Sequence, residues 1–159
     1  MNRKVGRRLA PEACSGTYLL LMRLSRGQSL NVGRLGSFKF RRGWYLYVGS
    51  AFGPGGVAAR CNHHRRVSAR PRWHVDYLRL AAPLRAIWFC HAQEPLEHRW
   101  AGALAGELGL EAPVDGFGAS DCDCPSHLFH LPKAPDLGHF SDLLQSHVGG
   151  GVSVYCEIV

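Results

Sequence analysis

Arg60 and His64 lie one helical turn apart in "GGVAARCNHHRR", interleaved with Val57 and Cys61 on the same face. A charge on a half-apolar helix face must be paired or must face a site, because burying it alone is too costly. A guanidinium fork suits phosphate or carboxylate oxygens. An imidazole titrates near neutrality, which suits proton transfer. The plain alternative is an arginine reaching from the helix edge into water. Glu97 repeats the pattern. With Ala101, Leu104 and Leu108 it follows i, i+4, i+7 and i+11, so a carboxylate heads an apolar stripe. There it can hold a divalent cation, face an arginine such as Arg60, or simply complement the positive end of the helix dipole.

Two further groups carry chemistry. "CDCPSH" brings Cys122, Cys124 and His127 together, a partial zinc set whose fourth ligand would come from afar, from His130, Cys90 or Cys156. Its C-x-C spacing is tighter than the usual one, and a tight loop in which Asp121, Cys122 and His127 hydrogen-bond locally is the alternative. The second group is basic: Arg60, His63, His64, Arg65, Arg66, Arg70, Arg72 and His74, with Trp73 among them and no acid before Asp76. Lys39, Arg41 and Arg42 extend it. Such a surface suits phosphate oxygens, although a solvated charged face is the ordinary alternative. "GPGGVA" from Gly53 matches a dinucleotide fingerprint on paper, with Asp76 downstream as the ribose acid. A strand-to-helix turn that needs glycine explains it equally well.

These residues need elements to position them. "GTYLLLMRL" and "LRAIWFCH" read as strands, and "SLNVGRLGSFKFRRGWYLYVGSA" as strands broken by glycine turns. Helices are expected over about 57–67 and from Pro95 to about Leu108. "WHVDYLRL" reads as a short helix or turn, "HLFHL" as a short strand, "PDLGHFSDLLQSHV" as a helix and "VSVYCEIV" as a closing strand. The expected fold is a small α/β (α+β) sandwich with a mainly antiparallel sheet flanked by helices. Length bounds it to one domain over 14–159, after a basic arm over 1–13. With 46% hydrophobic residues the chain has material for a core, and its net charge of +7 favours a polyanionic partner. No apolar run approaches the roughly 18–20 residues of a membrane span. The basic start lacks the apolar stretch of a signal peptide, so a cytoplasmic location with free thiols is expected.

In order along the chain, "GTY" (Gly16–Tyr18), "YVG" (Tyr47–Gly49), Arg60 on the next helix and Glu97 on a later one resemble the GIY-YIG endonuclease superfamily. "YVGSA", "GGVAARCNHHRR", "WHVDYL" and "GFGASDCDCPSHLFHL" resemble its Uri-type branch, whose members stand alone or are fused to DNA-repair proteins. The likeness covers about residues 14–133. The long separation of Tyr18 and Tyr47 places an inserted hairpin at about 23–43, as in that branch. The late asparagine of many such enzymes has no counterpart, and Ser120, Asp121 and His127 are the candidates for that part of the site.

The resemblance implies a metal-dependent endonuclease acting on DNA, with RNA as the alternative polymer, in repair or processing of structured DNA. It implies one Mg²⁺ or Mn²⁺ on Glu97, Arg60 on the phosphate, and Tyr18 and Tyr47 orienting the water, with His64 a further candidate base. Arg42, His63, Arg65, Arg66, Arg70, Arg72 and His74 would meet nucleic acid, and a DNA-repair protein is a possible partner. A non-catalytic nucleic-acid-binding module is the main alternative, and a dinucleotide enzyme the remote one.

Overall fold

The computed structural model describes residues 10–120 and 122–159. Five strands form one antiparallel sheet, in the order β6 (Leu128–Leu131), β4 (Gly43–Ala51), β1 (Gly16–Leu24), β5 (Leu84–His91), β7 (Tyr155–Ile158). β1 lies at the centre, and both of its faces are covered. That is why "GTYLLLMRL" reads as a continuous apolar run rather than an alternating one. Tyr18, Leu20 and Met22 point to one core, and Leu19 and Leu21 to the other.

Helices α1 (Gly56–Arg65) and α2 (His74–Arg79) cover the first face with Val57, Cys61, Val75 and Leu78. Helices α3 (Glu97–Gly106) and α4 (Leu137–Ser146) cover the second with Trp100, Leu104, Phe140 and Leu144. The result is an α+β sandwich of three layers with two cores. Pro95 precedes α3 instead of opening it: Leu96 is the flanking residue and Glu97 the first helical one. The segment expected to hold a hairpin contains β2 (Gln28–Asn31) and β3 (Ser37–Phe40), a two-stranded ribbon apart from the main sheet.

Of the expected N-terminal arm, residues 1–9 lie outside the described residues. Its end is bound to the fold: the carbonyls of Glu12 and Cys14 accept the backbone N–H groups of Ala58 and Val57 at 2.9 Å each. The first N–H groups of a helix have no partner within it, and here the segment leading into β1 supplies acceptors. Among the described residues no helix is long and apolar enough to cross a membrane.

Candidate active site

β4 ends in "YVGSA", the chain turns at Gly53–Gly56, and α1 runs back across the sheet. Gly55 flanks that helix at φ +81°, a conformation that disfavours any side chain. The turn follows an antiparallel strand, whereas the dinucleotide fingerprint belongs to a parallel βαβ unit. Asp76, the ribose acid of that reading, is spent. Its carboxylate accepts the N–H groups of Arg72 (2.9 Å) and Trp73 (3.0 Å) and pairs with His63 (2.8 Å). Burial raises its pKa, but those hydrogen bonds outweigh burial and hold it below the ordinary value. The glycines serve the turn, and the dinucleotide reading fails.

Tyr18, Tyr47, Arg60, Glu97 and His127 line one cleft of about 310 Å³, walled also by Trp73 and the loop around Gly118. Each comes from a different place: β1, the paired strand β4, the second turn of α1, the first residue of α3, and the residue before β6. Tyr18 faces Gly49 across the strand pair. A Cβ at Gly49 would collide with the Tyr18 ring, so glycine there lets the ring lie flat over β4.

Burial pushes the Tyr18 phenol well above its ordinary pKa; Tyr47 adds to the rise and Arg60 opposes it. Tyr47 is raised in the same way, by burial first and then by the charge of Glu97, again against Arg60. Both are neutral phenols here. The Arg60 guanidinium stacks over the Trp73 ring at 4.2 Å, and Arg72 approaches the same ring at 5.4 Å. Among the described residues the arginine ion pairs are Arg41–Glu111, Arg65–Glu157 and Arg99–Glu94, and Arg60 is in none of them. Arg60 and Glu97, read from the sequence as a potential couple, therefore share the cleft without pairing. Glu97 instead has His98 Nε2 at 3.7 Å and His127 Nδ1 at 3.9 Å.

His64 stands behind the cleft, not in it. It is 1% exposed, and its Nε2 meets the Tyr18 hydroxyl at 2.9 Å. Burial, then the neighbouring His63, pushes its pKa down to about 3. The imidazole is neutral and reaches any substrate only through Tyr18. Its Nδ1 is buried without a partner.

The basic cluster divides. Arg66, Arg70 and Arg72 are exposed, as is Arg42, whose carbonyl meets His130 Nε2 at 3.1 Å. Arg65 is bound to Glu157 of β7, at 2.6 Å, and to Asn62. His63 is held by Asp76. His74 accepts the Gly118 N–H at its Nδ1, at 2.8 Å, and so positions the loop beside Tyr47. These three are each engaged within the chain. Ser120 is exposed and does not line the cleft; Asp121 lies outside the described residues.

Three participants were missed in the sequence. Trp73 was noted only as a companion of the arginines, yet it is the platform under Arg60. Arg79 is buried and donates to the carbonyls of His64 and Ala82, at 3.1 and 2.9 Å. It caps the end of α1, which no local pattern announces. His98 sits one residue after Glu97 and joins Cys122, Cys124 and His127, so that one ligand atom of each lies within 4.8 Å of the others. The expected distant partners of that set do other things: Cys90 is buried in β5, Cys156 lies in β7, and His130 packs on Tyr45.

A family model described as a domain of unknown function, DUF123, matches residues 17–148. The chain belongs to that family. The match takes in every residue of the cleft named above and ends before β7. No curated protein matches the chain, and no solved structure does.

Proposed function

We propose that the protein is a metal-dependent endonuclease that hydrolyses phosphodiester bonds in DNA. The observation that carries this reading is the meeting of two tyrosines, an arginine without a described carboxylate partner and one carboxylate in a single cleft. The ordered likeness of "GTY", "YVG", Arg60 and Glu97 to the GIY-YIG endonucleases supports it. So do Arg72 beside Arg60 and the exposed Arg66 and Arg70, a basic approach for a phosphate backbone.

The donor set fits one hard cation. Glu97 opens to the cleft, no lysine or arginine among the described residues pairs with it, and a single carboxylate suits an ion that keeps waters and binds phosphate oxygens. When bound, Mg²⁺ or Mn²⁺ supplies charge relief at the phosphate and at the departing 3′ oxygen.

The chain's own groups do the rest. Arg60, held flat by Trp73, grips the non-bridging oxygens as negative charge builds on them. Tyr18 and Tyr47 fix the attacking water by their hydroxyls. In the tautomer that leaves Nε2 bare, His64 accepts a hydrogen bond from the Tyr18 hydroxyl and turns the Tyr18 lone pairs towards that water. Burial keeps His64 neutral, so it remains an acceptor across the physiological range.

The test uses labelled duplex, flapped and single-stranded DNA with Mg²⁺ or Mn²⁺. Cleavage is expected, and Glu97→Gln should lower its rate by ~100-fold or more. Undiminished cleavage by Glu97→Gln would sink the assignment. Salt-sensitive binding without cleavage under any metal would replace it with a nucleic-acid-binding module.

A further inference from the structure

Between α3 and β6, the described residues of 107–127 form no helix or strand. Long connections of this kind are uncommon in compact domains and are usually either functional or disordered. This one supplies Gly118 and Cys122 to the cleft wall, with His127 at its end. Backbone hydrogen bonds, from Gly116 to Pro125 and from His127 to Phe117, hold part of it.

We infer that Cys122, Cys124, His127 and His98 bind a structural zinc ion. Four donor atoms, one from each residue, lie within 4.8 Å of one another. Cys122 Sγ is 3.4 Å from His127 Nε2, and His98 Nδ1 is 2.9 Å from Cys124 Sγ. Around tetrahedral zinc, Zn–S of about 2.3 Å and Zn–N of about 2.0–2.1 Å place neighbouring ligand atoms roughly 3.3–3.8 Å apart. The four side chains need only small rotations to reach that shell.

The donor chemistry selects the metal. Two thiols and two imidazoles are a soft S₂N₂ set, which favours zinc and not the hard cation expected on Glu97. The cysteines are unpaired thiols and so are available as ligands. Four protein ligands close the shell and leave no position for water, which makes the site structural. His98 comes from α3 and the other three from the loop end, so the ion cross-links them. Glu97 is the residue before His98. The ion would thus fix the cleft wall and the carboxylate relative to each other.

This inference does not rest on the nuclease reading, because it is read as metal content. Full-length protein purified under reducing conditions is analysed for metals, then stripped by a chelator and titrated with Co²⁺. About one zinc per chain is expected, with cobalt giving the visible bands of a tetrahedral site and a thiolate charge-transfer band that zinc abolishes. Joint replacement Cys122→Ser, Cys124→Ser should bring zinc to near zero, while Cys14→Ser and Cys156→Ser leave it unchanged. His98→Ala should weaken zinc binding by ~10-fold or more, and His98→Cys should restore it; this pair serves if the double variant does not fold.

Wild-type protein with neither zinc nor a thiolate–cobalt band would overturn the site. So would zinc retained undiminished without both cysteines, or a Cys122–Cys124 disulfide in freshly prepared protein. A chain that holds zinc on these ligands and cuts no nucleic acid would keep this inference and end the nuclease reading.

Discussion

Arg60 owes its orientation to an aromatic ring and not to an acid. Stacked on Trp73 at 4.2 Å, with no described carboxylate paired to it, the guanidinium keeps its hydrogen-bonding edge for an incoming anion. Lysine at this place would keep the charge but lose both the planar stacking surface and the two-pronged grip on phosphate. Arg60→Lys should therefore reduce cleavage by roughly 10²–10³-fold, the loss typical of removing one transition-state donor. Its urea midpoint should stay close to that of the parent, because Arg60 is partly exposed and makes no ion pair with a described residue. Single-turnover kinetics beside equilibrium unfolding separates the two effects. A lysine variant as fast as the parent would remove Arg60 from the chemistry.

Among the elements, the strand pair β1–β4 sets the site, and Gly49 is where its geometry is least forgiving. The Tyr18 ring lies over Gly49, and any Cβ there enters the ring's space. Backbone cannot yield in the middle of a sheet, so the ring must move and break its contact with His64. Gly49→Ala should cost about 1–3 kcal/mol, as overpacking does, and should lower cleavage more than that loss explains by displacing Tyr18. Chemical unfolding and cleavage measured on the same protein check it. If stability alone falls, Tyr18 is a packing residue.

The same scale shows what was legible beforehand. β1, β5 and α3 announce themselves by apolar runs or helical spacing, because burial on the sheet or along one helix face leaves a period in the sequence. Tyr18, Tyr47, Arg60 and Glu97 were legible as an ordered set, each on a strand or helix. The pairing of Arg65 with Glu157 was not legible, because Glu157 arrives on β7 from the far end of the chain. His98 was invisible for the same reason. Its place in a four-ligand cluster exists only once α3 and the loop before β6 have packed, and spacing along the chain carries no trace of that.

For the whole molecule, the consequence of building a site over a buried imidazole is sensitivity to acid. His64 has its pKa depressed to about 3 by burial and then by His63, whereas an unfolded chain would bind that proton near 6.5. Below 6.5 the unfolded state therefore holds more protons than the folded one, and stability falls as pH falls, down to about 3. The full slope is about 1.4 kcal/mol per pH unit, so bringing the protein from pH 7 to pH 5 should cost about 2 kcal/mol through this residue alone. Asp76, also depressed, acts with the same sign, but it loses its contribution only as pH falls below the ordinary carboxylate value. His74, lowered by burial, also acts in the same direction, so the wild-type curve alone does not isolate His64. His64→Gln does. Glutamine keeps a hydrogen-bonding group beside the Tyr18 hydroxyl and suits a helix, but it does not titrate. Urea unfolding at pH 5, 6 and 7 should show the parent losing about 2 kcal/mol more than the variant across that range. Parallel curves would mean that the imidazole takes up its proton in the folded state. In that case His64 could not serve Tyr18 as a neutral acceptor at moderately acid pH, and cleavage should fall with the same midpoint as that uptake.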